Sequence, residues 1–116
     1  MRISRPVHGI FDYVFSIVVA TSPWLFGFAH EHLAPQIALT CGIATAMYSA
    51  MTDYEFGLLR FLPFAGHLFF DLAVGVTLGG AAWHFSMGGR AAWVFGILGA
   101  ISLAVTFHTR RPRDML

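Results

Sequence analysis

His8 and Asp12, and again His67 and Asp71, are the residues whose types and spacing could carry chemistry in this sequence. In a helix, a spacing of four puts each pair on one face, stacked one turn apart. An imidazole beside a carboxylate can hold or pass a proton, because His titrates near neutrality. Two such pairs brought together could also bind a divalent metal ion, or they could tie helices together by hydrogen bonds. Asp53, Glu55 and His108 are further ionisable groups expected near the same place. A weaker set is His30, Glu31 and His32, with His84. His-x-His beside a carboxylate suits copper or zinc, although short polar loops carry such residues without binding anything.

The elements that hold these residues follow from composition. Of 116 residues, 57% are hydrophobic and 11% charged, against about 25% charged in a soluble domain. Mean hydropathy is +0.68. So few charges cannot cover the surface of a small soluble domain, which points to an integral membrane protein. No Asp, Glu, Lys or Arg occurs between Asp12 and Glu31, Glu31 and Asp53, Asp71 and Arg90, or Arg90 and Arg110. Each gap approaches the roughly 20 residues of a membrane-spanning helix. Four spans are expected, about 8–29, 33–52, 66–87 and 91–108, in a single transmembrane domain over 1–116. Lone Cys41 excludes an internal disulfide and reads as a small buried hydrophobe.

If four helices cross alternately, Arg2, Arg5, Arg60, Arg110, Arg111 and Arg113 share one face, and Arg90 lies on the other. The positive-inside rule makes the six-Arg face cytoplasmic. This gives a multi-pass membrane protein with both termini inside. Trp24, Trp83 and Trp93, with Tyr13, Tyr48 and Tyr54, fall near span ends and fit interfacial belts, Trp24 and Trp83 as anchors. Net charge is +1 with no basic run, so nucleic acid is not an expected partner. Between the spans, Phe56, Leu58, Leu59, Phe61, Leu62 and Phe64 interleave with Glu55 and Arg60, which suggests an interfacial amphipathic segment over 53–65.

A period of 59 residues matches His8 with His67, Phe11 with Phe70, Asp12 with Asp71, Trp24 with Trp83 and Phe26 with Phe85. It divides the chain into repeat one (about 8–52), the loop 53–65, and repeat two (about 66–108). Each repeat is a helical hairpin, and two crossings return the chain to its starting face. The copies are therefore parallel, related by a pseudo-two-fold along the membrane normal. The fold class expected is an all-α membrane protein, a four-helix bundle with helix one facing helix three. The periodic pairs then lie at equal depth near the cytoplasmic end, with Asp53, Glu55 and His108.

The run Ser22-Pro23-Trp24-Leu25-Phe26-Gly27-Phe28, after His8-Gly9 and Asp12-Tyr13, resembles the SPW-repeat family of small bacterial membrane proteins. Thr52-Asp53-Tyr54-Glu55 looks typical of the loop between its repeats. The second copy keeps only Trp of the motif, as Ala81-Ala82-Trp83. The resemblance implies a four-helix inner-membrane protein and carries no activity with it.

The bare motif has a mechanical reading: Pro ends or kinks a helix, Ser can satisfy the freed backbone, and Trp anchors at the headgroups. Gly42-x-x-x-Ala46, Gly75-x-x-x-Gly79 and Gly96-x-x-x-Ala100 permit close helix approach. No nucleophile elbow, phosphate loop or cofactor fingerprint occurs, so an enzyme is not expected. The expected function is a non-enzymatic structural or accessory role in the membrane, with a polar His/Asp network, in a homo-oligomer or larger membrane complex. The alternative is proton or ion binding and transport through the paired motifs. No cofactor is expected, unless a divalent metal ion occupies His8, Asp12, His67 and Asp71 or, more weakly, His30, His32 and His84.

Overall fold

A computed structural model describes residues 2–84 and 89–109. Four helices follow one another: α1 (Arg5–Leu25), α2 (Leu33–Ala50), α3 (Phe64–His84) and α4 (Arg90–His108). Apart from two isolated bridges there is no β-structure among the described residues. Of the residues used above for period and orientation, Phe85, Arg110, Arg111 and Arg113 lie outside the described residues.

The motif Ser22-Pro23-Trp24 ends α1. Pro23 has no N–H for the Val19 carbonyl, four residues back, and the Ser22 hydroxyl donates to that carbonyl instead, at 2.7 Å. Gly27 then takes a positive φ of 78°, which glycine adopts without steric cost. The turn is closed by the Phe28 N–H donating to the Pro23 carbonyl at 2.8 Å. Phe28 is thereby tucked in, edge-on against Phe95 of α4.

Helices α1 and α2 pack closely as one hairpin, and α3 and α4 as another. Small residues set both contacts. A Cβ on Gly42 would fall 2.6 Å from the Ala20 backbone nitrogen, and one on Gly99 would fall 2.9 Å from that of Gly79. Between the hairpins, α2 meets α3 and α1 meets α4 over shorter stretches.

The inward faces of the two hairpins correspond. Buried His8, Asp12, Phe15, Ser16, Val19 and Ser22 of α1 have counterparts 59 residues later in buried His67, Asp71, Val74, Gly75, Leu78 and Ala81 of α3. In the second helices the offset is 57: Ala34, Ala38, Cys41, Gly42, Thr45 and Ser49 correspond to Ala91, Phe95, Leu98, Gly99, Ser102 and Thr106. The difference lies in the connections, because 26–32 is two residues longer than 85–89. The isolated bridges correspond as well: Thr52 pairs with Leu62 and Thr109 with Ile3.

Polarity runs opposite to that of a soluble bundle. Ser16, Ser22, Thr45, Ser49, Ser102 and Thr106 are buried, whereas Val7, Ile10, Val14, Ile17, Phe69, Val76, Trp93 and Ile97 are exposed. Helices α3 and α4 are each long and apolar enough to cross a membrane. At about 1.5 Å per residue, the 21 residues of α3 extend ~31 Å, against a hydrocarbon thickness of about 30 Å.

The segment after α2 is not a helix. Ala50 accepts from the N–H groups of Leu58 and Leu59, and Met51 from those of Phe61 and Leu62. These bonds satisfy carbonyls left over at the end of α2. Arg60 takes a left-handed φ of 55° to turn the chain back. Leu58, Leu59 and Phe61 project outward, while Tyr54 and Phe64 are buried.

Candidate functional site

Because α1 and α3 face each other across the bundle, their His and Asp residues meet at its centre. The first turns of both helices lie at one end, so both pairs sit at the same level. His8 Nε2 lies 2.7 Å from Asp71 Oδ2 and 3.1 Å from Asp12 Oδ1. His67 Nε2 lies 2.8 Å from Asp12 Oδ2 and 3.1 Å from Asp71 Oδ2. Each imidazole thus reaches its own helix's carboxylate and the other's. Both His are fully buried, Asp12 is 1% exposed and Asp71 5%.

Four hydroxyls hold this group from outside. His8 Nδ1 meets Thr109 Oγ1, and His67 Nδ1 meets Thr52 Oγ1, each at 2.7 Å. Both threonines donate to the carbonyl four residues back, Thr109 to Val105 and Thr52 to Tyr48, each at 2.6 Å. With its proton committed there, each threonine oxygen accepts from the imidazole, so Nδ1 carries the hydrogen in both rings. The Tyr48 hydroxyl donates to Asp71 Oδ1, and the Tyr54 hydroxyl to Asp12 Oδ2 at 2.8 Å. Burial and the nearby Asp12 charge raise the Tyr54 phenol above its ordinary range, so it stays a donor. Ser102 donates to the Asp71 backbone carbonyl at 3.1 Å.

Aromatic rings complete the wall. Phe64 stacks on His67 at 5.7 Å, and Tyr48 and Tyr54 lie at 5.0 and 5.2 Å from the same ring. Phe64 and Phe11 approach His8 edge-on. Desolvated charges interact strongly and are expensive to leave unpaired, and each carboxylate here faces both imidazoles.

Other expected members lie elsewhere. Asp53 is exposed and outside the centre. Glu55 forms an outer ion pair with Arg5 at 3.5 Å. His108 is exposed, with Nδ1 2.7 Å from the Ala104 carbonyl; the next residue, Thr109, is the one that turns inward. Tyr48 and Tyr54, expected in an interfacial belt, are instead buried, with their hydroxyls donating to Asp71 and Asp12. Trp24 and Trp83 are 62% and 79% exposed at the opposite end. His30, Glu31, His32 and His84 are exposed near that end, and they form no common ligand set.

Among the described residues, His8, Asp12, His67 and Asp71 are the group that could hold a metal ion, with one ligand atom from each within 4.8 Å of all the others. Thr52, Thr109, Tyr48 and Tyr54 were not legible as members of the site. Thr52 and Thr109 correspond at an offset of 57, which the 59-residue period does not reveal. Comparison with protein-family models, curated proteins and solved structures finds no match to this chain.

Proposed function

We propose that this chain is a small, non-enzymatic protein of the bacterial inner membrane, with four spans in two parallel repeats and a polar clasp joining them. The observation that carries this is the route of the bonds between hairpins. Packing between the hairpins is slight compared with packing inside them. At the clasp, by contrast, α1 is joined to α3 by two short contacts, His8 to Asp71 at 2.7 Å and His67 to Asp12 at 2.8 Å. Thr109 at the end of α4 and Tyr48 of α2 join the same group. All four helices therefore converge on one buried network.

Four spans are supported by the outward faces of α1 and α2. Val7, Ile10, Val14, Ile17, Ile43 and Met47 are exposed, while Ser16, Ser22, Thr45, Tyr48 and Ser49 of the same helices are buried. A largely apolar exterior of this kind suits lipid better than water. The residues that carry the likeness to the SPW-repeat family agree with this architecture. A role within a homo-oligomer or larger membrane assembly is consistent with the shallow groove lined by Ala82, Ala92, Gly96 and Ala100, where small side chains let another helix come close. The compact, closed clasp favours structure over transport.

Single cysteines at Glu31 and at Leu58, in a Cys41→Ala background, test the topology in whole cells. The expected result is labelling of Glu31→Cys from outside by a membrane-impermeant maleimide, and of Leu58→Cys only after lysis. Equal labelling of both, or recovery of the chain without membranes, would overturn the reading. The clasp is tested by Asp71→Ala, which takes one of two facing carboxylates from both imidazoles and leaves the Tyr48 hydroxyl without its acceptor. It should lower stability in detergent by about 3–5 kcal/mol.

A further inference from the structure

We infer that the clasp is a closed site for one first-row divalent transition-metal ion, bound through His8 Nε2, His67 Nε2 and one oxygen each of Asp12 and Asp71. This deepens the clasp reading by naming its occupant. Four observations carry it.

The first is the direction of the imidazoles. Thr109 and Thr52 have donated their protons to backbone carbonyls, so they fix hydrogen on Nδ1 and turn Nε2 inward. Metal-bound histidines are oriented in this way, with the second nitrogen donating to an outer partner. The second is that the carboxylates are held similarly, Asp71 by Tyr48 and Asp12 by Tyr54. Every inward ligand thus has its own outer hydroxyl.

The third observation separates a metal from a pair of protons. Two neutral imidazoles and two carboxylates sum to −2, which a divalent ion cancels. Two imidazolium–carboxylate pairs would also sum to zero, and His8 Nε2, hydrogen-bonded to Asp71 Oδ2 at 2.7 Å, suits such a pair. His67 Nε2 points the other way. It is fully buried and sits 2.8 Å from Asp12 Oδ2 and 3.1 Å from Asp71 Oδ2, yet a proton on it makes a well-formed hydrogen bond to neither. It is aimed into the group without a hydrogen-bond partner, as a ligand lone pair would be.

The fourth is size. Ligand atoms around a tetrahedral ion with bonds of about 2.0–2.1 Å stand roughly 3.3 Å apart. With Asp12 Oδ2 and Asp71 Oδ2 as the ligand oxygens, the close N–O separations of 2.7, 2.8 and 3.1 Å open by a few tenths of an ångström, and the remaining pairs, all within 4.8 Å, close onto the ion. Two imidazoles disfavour magnesium and calcium, which prefer oxygen ligands, and the absence of thiolate disfavours copper(I). Full enclosure by four protein ligands suits a structural ion rather than one with an open catalytic position.

The test uses the full chain purified in detergent, stripped with chelator and titrated with Zn²⁺, with Mg²⁺ as control and Co²⁺ as a spectroscopic probe. The expected result is one Zn²⁺ per chain and the intense visible absorption of tetrahedral Co²⁺, displaced by Zn²⁺. Mg²⁺ should not compete. Thr52→Val/Thr109→Val, which keeps all four ligands, should weaken Zn²⁺ binding by about 10–100-fold. Failure of the native chain to bind Zn²⁺ or Co²⁺ stoichiometrically would overturn the inference, as would binding unaffected by the threonine pair. Asp12→Asn/Asp71→Asn should abolish binding, but native-chain titration decides the matter even if that variant does not assemble. If the metal fails while Asp71→Ala still loosens the bundle, the clasp stands alone. If Zn²⁺ binds but Asp71→Ala leaves the stability of the metal-free chain unchanged, the metal site stands and the clasp reading falls.

Discussion

The centre of the molecule is governed by what each side chain can donate or accept. A threonine in a helix usually returns its hydroxyl proton to the carbonyl one turn back, and Thr52 and Thr109 both do so. That habit leaves an oxygen able only to accept, which sets the tautomer of a histidine 15 residues away for Thr52 and 101 residues away for Thr109. Tyr48 serves a comparable purpose for Asp71. Tyr48→Phe keeps the ring beside His67 and deletes only the donor, so the expected loss is about 1.5–3 kcal/mol, read by denaturant titration in detergent. Tyr48→Phe combined with Asp71→Asn should cost less than the sum of the two singles, since both act on one bond. Strict additivity would show that the Tyr48–Asp71 contact contributes nothing to stability.

At the level of elements, each hairpin is set by one close approach of backbones. Gly42→Leu and Gly99→Leu should each force the helices apart, because the atoms a side chain would meet are backbone atoms at 2.6–2.9 Å. The expected loss exceeds about 3 kcal/mol for each, at the upper end of what overpacking costs. Gly80→Ala has the opposite sign. A Cβ there meets nothing within 4 Å, and replacing glycine inside a helix should stabilise by roughly 0.5–1 kcal/mol. Comparing thermal midpoints of the three variants checks both signs together. If all three were equally destabilised, the close approaches would not be what sets the hairpins.

For the whole molecule, the decisive property is the reversal of polarity, with hydroxyls and ionisable groups inside and large apolar side chains outside. Ile17 is 63% exposed near the middle of α1 and serves to test this. In a membrane, Ile17→Arg should disfavour insertion by about 2.5–3.5 kcal/mol and reduce the amount recovered in membranes. In a soluble bundle the same change would improve recovery in the aqueous fraction, and that result would refute the four-span reading.

Much of this was open to the sequence alone. Scarcity of charge and its regular spacing announced four helical segments, and all four helices lie close to the expected positions. Pro23 and Ser22 announced the end of α1, because a missing N–H and a nearby hydroxyl are local facts. The His/Asp pairs were legible because four-residue spacing defines a helical face and the 59-residue period puts two such faces at one level. Depth, however, is not direction. Asp53, Glu55 and His108 share the right end of the molecule, yet they point away from its centre. Thr52, Thr109, Tyr48 and Tyr54 point into it, and no local pattern distinguishes them from other polar residues at helix ends. Which side chains face the axis depends on the rotation of α2 and α4 about their own lengths. The Gly42 and Gly99 contacts, two connections of unequal length and the folded loop after α2 settle that rotation together. The sequence by itself determined which groups could meet, because helical periodicity is a property of the chain. Only the tertiary structure decided which of them do meet, because hydrogen-bond partners are chosen by packing between segments far apart in sequence.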